Sequence, residues 1–136
     1  MNMKDERQFV GYSKYRSRLV DGHVHTELCP HGSGDRTALM IEKAIELRIE
    51  KVCLTEHAPL PAGFAAEYGG DKKAYNTASL KLNQVDSYLE LGRQLQRAYG
   101  THIDISLGFE VDYIPGFETD IQEFLDRYGP LTNDNI

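Results

Sequence analysis

The sequence predicts an α/β protein, and three observations lead there. Apolar β-like runs alternate with amphipathic helical patterns in the order β-α-β-α-β-α, and three such units imply parallel strands with right-handed crossovers. The central run, Lys51-Val52-Cys53-Leu54-Thr55, is short, apolar and continuous, the kind of strand a parallel sheet buries on both faces. The chain has 136 residues. That is enough for one domain with a modest core, but not for a complete (β/α)8 barrel, which needs about 250 residues.

Residues 1–18 are polar and basic with scattered aromatics, and read as an N-terminal extension ahead of a domain over 19–136. Leu19 to His25 is the first β-like run, followed by a Cys-, Pro- and Gly-rich loop from Thr26 to Gly34. Asp35 is placed to cap a helix over about Arg36 to Arg48. Its apolar positions are Leu39, Met40, Ile41, Ala44, Ile45 and Leu47, with Glu42, Lys43 and Glu46 on the other face.

The second strand ends in Glu56-His57. A long loop from Ala58 to Asn76 carries Pro59, Pro61, Gly63 and Gly69-Gly70, and a loop of that length points to function or mobility. Asn76 or Thr77 opens a second helix reaching Tyr99. Leu80, Val85, Tyr88, Leu89, Gly92, Leu95 and Tyr99 trace its buried stripe, and Gly100 suits the C′ position. In the third strand, His102 to Val111, apolar Ile103, Ile105, Leu107 and Phe109 alternate with Asp104, Ser106, Gly108 and Glu110. A loop over Asp112 to Gly116 leads to a third helix from about Phe117 to Tyr128. Ile121, Phe124, Leu125 and Tyr128 face inward on it, and Gly129-Pro130 stops it. Leu131 to Ile136 carries no element of its own.

Composition narrows the function. Fifteen Lys and Arg against twenty-one Asp and Glu give a formal charge of -6, which argues against nucleic acid or an anionic membrane as the main partner. No apolar run reaches the roughly 18 residues of a transmembrane helix. The N-terminus lacks the apolar stretch of a secretory signal and contains acidic residues, so a cytoplasmic protein is expected. Cys29 and Cys53 form no CxxC pair, and in a reducing compartment they are free thiols.

The chemistry concentrates at the C-terminal ends of the strands, where α/β folds place their sites. The first strand ends with His23 and His25, the second with Glu56 and His57, the third with Glu110 and Asp112. Residues two apart on a strand share a face, so His23 and His25 can grip one cation. His31 lies on the following loop, within reach of the same rim, and Glu110 supplies a carboxylate able to bridge two metals. Such mixed ligands suit Zn²⁺, Fe²⁺ or Mn²⁺. Taken singly, each of these residues has an ordinary structural reading, as a hydrogen-bonding histidine or a rim carboxylate. It is their coincidence at all three strand ends that favours a metal site. His102 opens a strand and is set aside, and both cysteines read as packing residues. No GxSxG elbow, P-loop or GxGxxG occurs.

Three motifs then carry a resemblance. Asp21-Gly22-His23-Val24-His25 with Cys29-Pro30-His31-Gly32 resembles the opening motif of the PHP (polymerase and histidinol phosphatase) superfamily, in its histidinol-phosphatase branch. Leu54-Thr55-Glu56-His57-Ala58-Pro59 resembles that branch's second motif, and Gly108-Phe109-Glu110-Val111-Asp112-Tyr113 its third. The resemblance implies the first three βα units of a distorted (β/α)7 TIM-like barrel, truncated about where a fourth strand would begin. It implies a centre of up to three divalent metal ions: His23 and His25 on the first, Glu110 bridging to a second, His31 and His57 on the third. It assigns Glu110 and His57 to catalysis. The implied activity is hydrolysis of a small phosphorylated metabolite, L-histidinol phosphate, to L-histidinol and phosphate in histidine biosynthesis. Glu56, Arg36 and Lys72 are candidate substrate contacts. The later strand with its histidine motif, a further histidine ligand and an Asp-x-x-x-His-type pair are not found in this sequence. The alternatives are therefore an inactive metal-binding fragment or a PHP phosphoesterase of other specificity.

Overall fold

A computed structural model describes residues 19–64 and 76–132. The N-terminal extension over 1–18, most of the long loop (65–75, including Lys72) and the end of the tail (133–136) lie outside the described residues. The described chain is α/β. Strands β1 (Val20–Val24), β2 (Lys51–His57) and β3 (Asp104–Glu110) form one parallel sheet in the order β1-β2-β3. Parallel neighbours need crossovers. The first contains helix α1 (Thr37–Glu46), the second helix α2 (Val85–Tyr99), and helix α3 (Glu118–Tyr128) follows β3.

β2 pairs with β3 without interruption, from Lys51 opposite Asp104 to His57 opposite Glu110. The pleat therefore sorts the side chains. Val52 and Leu54 with Ile105, Leu107 and Phe109 belong to the apolar core, together with Tyr88, Leu89 and Leu95 of α2 and Ile41 and Ala44 of α1. Cys53, Thr55 and His57 alternate with them, opposite Ser106, Gly108 and Glu110. Gly92 lets α2 approach β3, since a Cβ there would stand 2.4 Å from Leu107 Cδ1.

Several expectations for the helices are corrected. α1 starts at Thr37 behind an Arg36 N-cap that makes no side-chain bond. Asp35 instead accepts from the Ser33 hydroxyl, while Glu27, ten residues back, takes the Thr37 N–H on its carboxylate at 2.7 Å. The apolar positions of α1 do not all face the core. Ile41 and Ala44 are buried with Thr37, whereas Leu39, Met40 and Leu47 are 54%, 37% and 56% exposed. The second helix is not continuous from residue 76. Residues 79–81 are non-helical, Leu80 is buried in the core, and a 3-10 turn over Leu82–Gln84 precedes α2. Gly129-Pro130 does not simply stop α3, because Gly129–Leu131 continues as a 3-10 turn.

The left-handed helix end falls on Arg48, φ +60, and not on Gly100, whose φ is −63. The Ile49 N–H bonds the Ala44 carbonyl and the Arg48 N–H that of Ile45, a Schellman arrangement built on arginine where glycine is usual. Among the described residues no helix is long and apolar enough to cross a membrane.

Candidate metal centre

The site begins with a fault in β1. Asp21 lies opposite Val52 and Val24 opposite Leu54, so Gly22 and His23 together oppose one residue of β2. This is a β-bulge, which re-aims side chains at a strand end. The Asp21 carboxylate accepts the His23 N–H across it at 3.4 Å. Beyond the bulge the rings of His23 and His25 stack, 5.1 Å between centroids and 10° between planes, with Nε2 atoms 2.9 Å apart.

The parallel register supplies the rest. His57 and Glu110 are direct neighbours at the ends of β2 and β3. Glu110 Oε2 lies 2.9 Å from His23 Nε2, 3.0 Å from His25 Nε2 and 3.3 Å from His57 Nδ1. Burial alone would push the Glu110 carboxyl up, but His57, His23 and His25 around it outweigh that and hold it below its ordinary value. Burial also holds His57 below its ordinary value, against the opposing pull of Glu110.

This donor set fits a divalent cation. Two ligands at right angles, each roughly 2.1 Å from one ion, stand about 3.0 Å apart, which matches the spacing of the His23, His25 and Glu110 donors. His57 Nδ1 is buried without an aligned hydrogen bond, although it lies near Glu110 Oε2. Hydrogen bonds alone leave such an arrangement poorly satisfied, and a shared cation would resolve it.

His31 stands at the edge of this group. Its ring centroid is 5.1 Å from that of His57 and 6.1 Å from that of His25. Its Nε2 is 3.3 Å from the Ala78 carbonyl and its Nδ1 3.7 Å from Cys29 Sγ. All five histidine and glutamate positions expected from the sequence are thus brought together, with His31 outside the tight triad of His23, His25 and Glu110.

Glu56 is not placed as a substrate contact. It is 0% exposed, and its oxygens are taken by Thr26, His57 and His25. Arg36 is exposed at the N-cap of α1, where its charge acts on the Tyr99 hydroxyl, itself bonded to Glu42.

Three supporting residues escaped sequence reasoning. Thr26 donates its backbone N–H and its hydroxyl to Glu56 Oε2. Cys29 lies 3.6 Å from His25 Nδ1, and burial, reinforced by the Glu56 carboxylate, pushes its thiol up. Tyr88 places its hydroxyl 2.9 Å from the Leu54 carbonyl and 2.6 Å from that of Gly108, while accepting the Glu56 N–H. Of these, Thr26 had a usable signal: a carboxylate at the end of a buried strand needs donors, and Thr26 follows the histidine pair directly.

Comparison with known proteins places this centre in context. The PHP domain family matches residues 21–133. A histidinol-phosphatase of Bacillus subtilis is 38% identical over 116 residues, 85% of this chain and 41% of its own length. A protein of Deinococcus radiodurans named as a probable histidinol-phosphatase is 27% identical over 81% of this chain and 38% of its own. A crystal structure of a candidate histidinol phosphatase from Listeria monocytogenes superposes with a TM-score of 0.82 at 41% identity, over 85% of this chain and 43% of that one. The chain thus spans about two-fifths of the length of these relatives. Its family is nonetheless settled by the match over residues 21–133: the chain belongs to the PHP domain family.

Proposed function

We propose that this chain carries the metal-binding part of a phosphomonoester hydrolase of the histidinol-phosphatase type, acting on L-histidinol phosphate in the cytoplasm. The observation that carries the reading is the convergence of His23, His25 and His57 on one oxygen of Glu110. The names of its relatives supply the substrate. Its three βα units would form the opening part of a distorted (β/α)7 barrel, a view supported by the share of each relative that it spans.

His23 and His25 would hold a first divalent ion through Nε2, with Glu110 bridging to a second, and His31 and His57 would hold a third, each of them Zn²⁺, Mn²⁺ or Fe²⁺. Bound divalent ions at such a centre supply a lowered pKa for water and positive charge beside a phosphoryl group. Glu110, kept ionised by the rings around it, fixes from the end of β3 the spacing of the histidines at the ends of β1 and β2. His57, kept neutral by burial, keeps a ring nitrogen free to act as ligand or proton acceptor.

The test is direct. The purified chain, loaded with Mn²⁺, Zn²⁺ or Fe²⁺, should release phosphate from histidinol phosphate faster than from other phosphomonoesters, and a chelator should abolish the release. A chain that takes up none of these metals would sink the reading. The coverage of about two-fifths of each relative favours a second reading, a chain that binds metal without turnover, which metal uptake with no phosphate release would establish.

A further inference from the structure

Glu56 sits behind the centre and touches three of its parts. Its side chain is fully buried, between the end of β2 and the residues that follow β1. Oε2 accepts two hydrogen bonds from Thr26, from the backbone N–H at 2.9 Å and from Oγ1 at 2.7 Å. Oε1 accepts the His57 N–H at 3.2 Å and lies 3.3 Å from His25 Nδ1. The other ring nitrogen of His25, Nε2, is the atom that meets His23 and Glu110.

We propose that Glu56 is a positioning residue that fixes His25 as the Nδ1–H tautomer, with Nε2 presented bare to a divalent cation. A carboxylate only accepts hydrogen bonds, so the nitrogen facing it carries the hydrogen, and a neutral imidazole has only one. The nitrogen on the far side is then the ligand. Carboxylate–histidine–metal relays of this kind orient the ring and strengthen the ligand. Thr26 completes the device: with both of its donors on Oε2, the carboxylate cannot rotate away from His25. Cys29 Sγ also meets His25 Nδ1, at the 3.6 Å of an ordinary hydrogen bond to sulfur, so the Nδ1–H is shared between that sulfur and the Glu56 carboxylate beside it. Glutamine would remove the discrimination, because its amide could turn an N–H toward Nδ1 and leave the ring in the opposite tautomer.

The inference rests on the metal-centre reading above, and the experiment separates the two. Zn²⁺ affinity is measured by chelator competition on the full chain and on Glu56→Gln, and the imidazole nitrogens of the Zn²⁺-loaded chain are assigned by ¹⁵N NMR. The wild type should coordinate through His25 Nε2, with a slowly exchanging proton on Nδ1. Glu56→Gln should bind Zn²⁺ about 10- to 100-fold more weakly, and Thr26→Val should show a smaller loss in the same direction. Zn²⁺ on His25 Nδ1, a sulfur-to-metal charge-transfer band from Cys29 with Co²⁺, or wild-type affinity and spectra in Glu56→Gln would each overturn the positioning role. Failure of the wild type to bind Zn²⁺ would overturn the metal centre itself. Should Glu56→Gln not fold, the wild-type nitrogen assignment alone still decides which ring atom binds.

Discussion

On one face of the sheet, Val52, Leu54, Ile105, Leu107 and Phe109 meet Tyr88, Leu89 and Leu95 in a single apolar cluster. On the other register of the same strands, Cys53, Thr55 and His57 stand beside Ser106, Gly108 and Glu110. The first set is held by burial, which is non-directional and scales with area. The second ends in polar atoms whose positions are set by strand register and by a few hydrogen bonds. Substitutions on the two registers should therefore fail differently, the first in folding and the second in ligand binding.

The largest effect is expected at the core. Leu107→Ala should lower unfolding free energy by about 2–5 kcal/mol in denaturant titrations. Gly92→Ala, whose new methyl would strike Leu107, should cost about 1–3 kcal/mol alone and clearly less in the Leu107→Ala background, because the truncated side chain vacates the space. Simple additivity in that double-mutant cycle would mean that α2 and β3 do not touch there.

On the other register, Glu110→Gln should weaken metal binding by more than roughly 100-fold, beyond the usual supporting-residue effect, with a loss of stability in the metal-free chain well below that of Leu107→Ala. A loss of stability as large as that of Leu107→Ala would erase the distinction between the faces. Tyr88→Phe tests their junction, since the hydroxyl serves the carbonyls of both β2 and β3 and the N–H of Glu56. It should cost about 1–3 kcal/mol from buried groups left unpaired.

Acidity should act through the polar register. His57 is held below its ordinary 6.5, so the unfolded chain takes up that proton first. Stability of the metal-free chain should be level above pH 6.5 and fall below it. Glu110, lowered from 4.5, adds stability that is present above that value and lost as pH drops through its lowered one. Melting temperatures measured across this range check the direction, and a rise on acidification would contradict it. The smallest effect is Arg48→Gly. It should raise stability by about 0.5–1 kcal/mol by relieving the left-handed backbone of a non-glycine residue, read as a small increase in melting temperature.

Much of this was legible in the sequence. The period-2 alternation of β3 and the apolar run of β2 defined both strands, and the ligand types at all three strand ends located the centre. What escaped was set by neighbours distant in sequence. Leu39, Met40 and Leu47 are apolar, but the sheet covers only the side of α1 that carries Ile41 and Ala44. The cap of α1 comes from Glu27 and not from the adjacent Asp35, because the loop after β1 folds back over the helix start. Glu56 reads from the sequence as a candidate substrate contact, yet its carboxylate turns inward to Thr26 and His25. Arg48 takes a conformation that the pattern would have assigned to glycine, since Ile49 must return to the core immediately after α1.

The bulge in β1 has a consequence for how this centre tolerates change. Because Gly22 and His23 share one place opposite β2, the ladder of Val20 and Asp21 and the aim of the histidine pair are set separately. The extra residue acts as a phase shifter between the two. Drawing Gly22 into an unbroken ladder would set His23 opposite Leu54, on the core register and away from Glu110, whereas deleting it would set His23 opposite Cys53, on the register of His57 and Glu110. The aim of the histidines would thus survive loss of the extra residue but not its incorporation into the ladder, and the core register of β2 and β3 is untouched in either case.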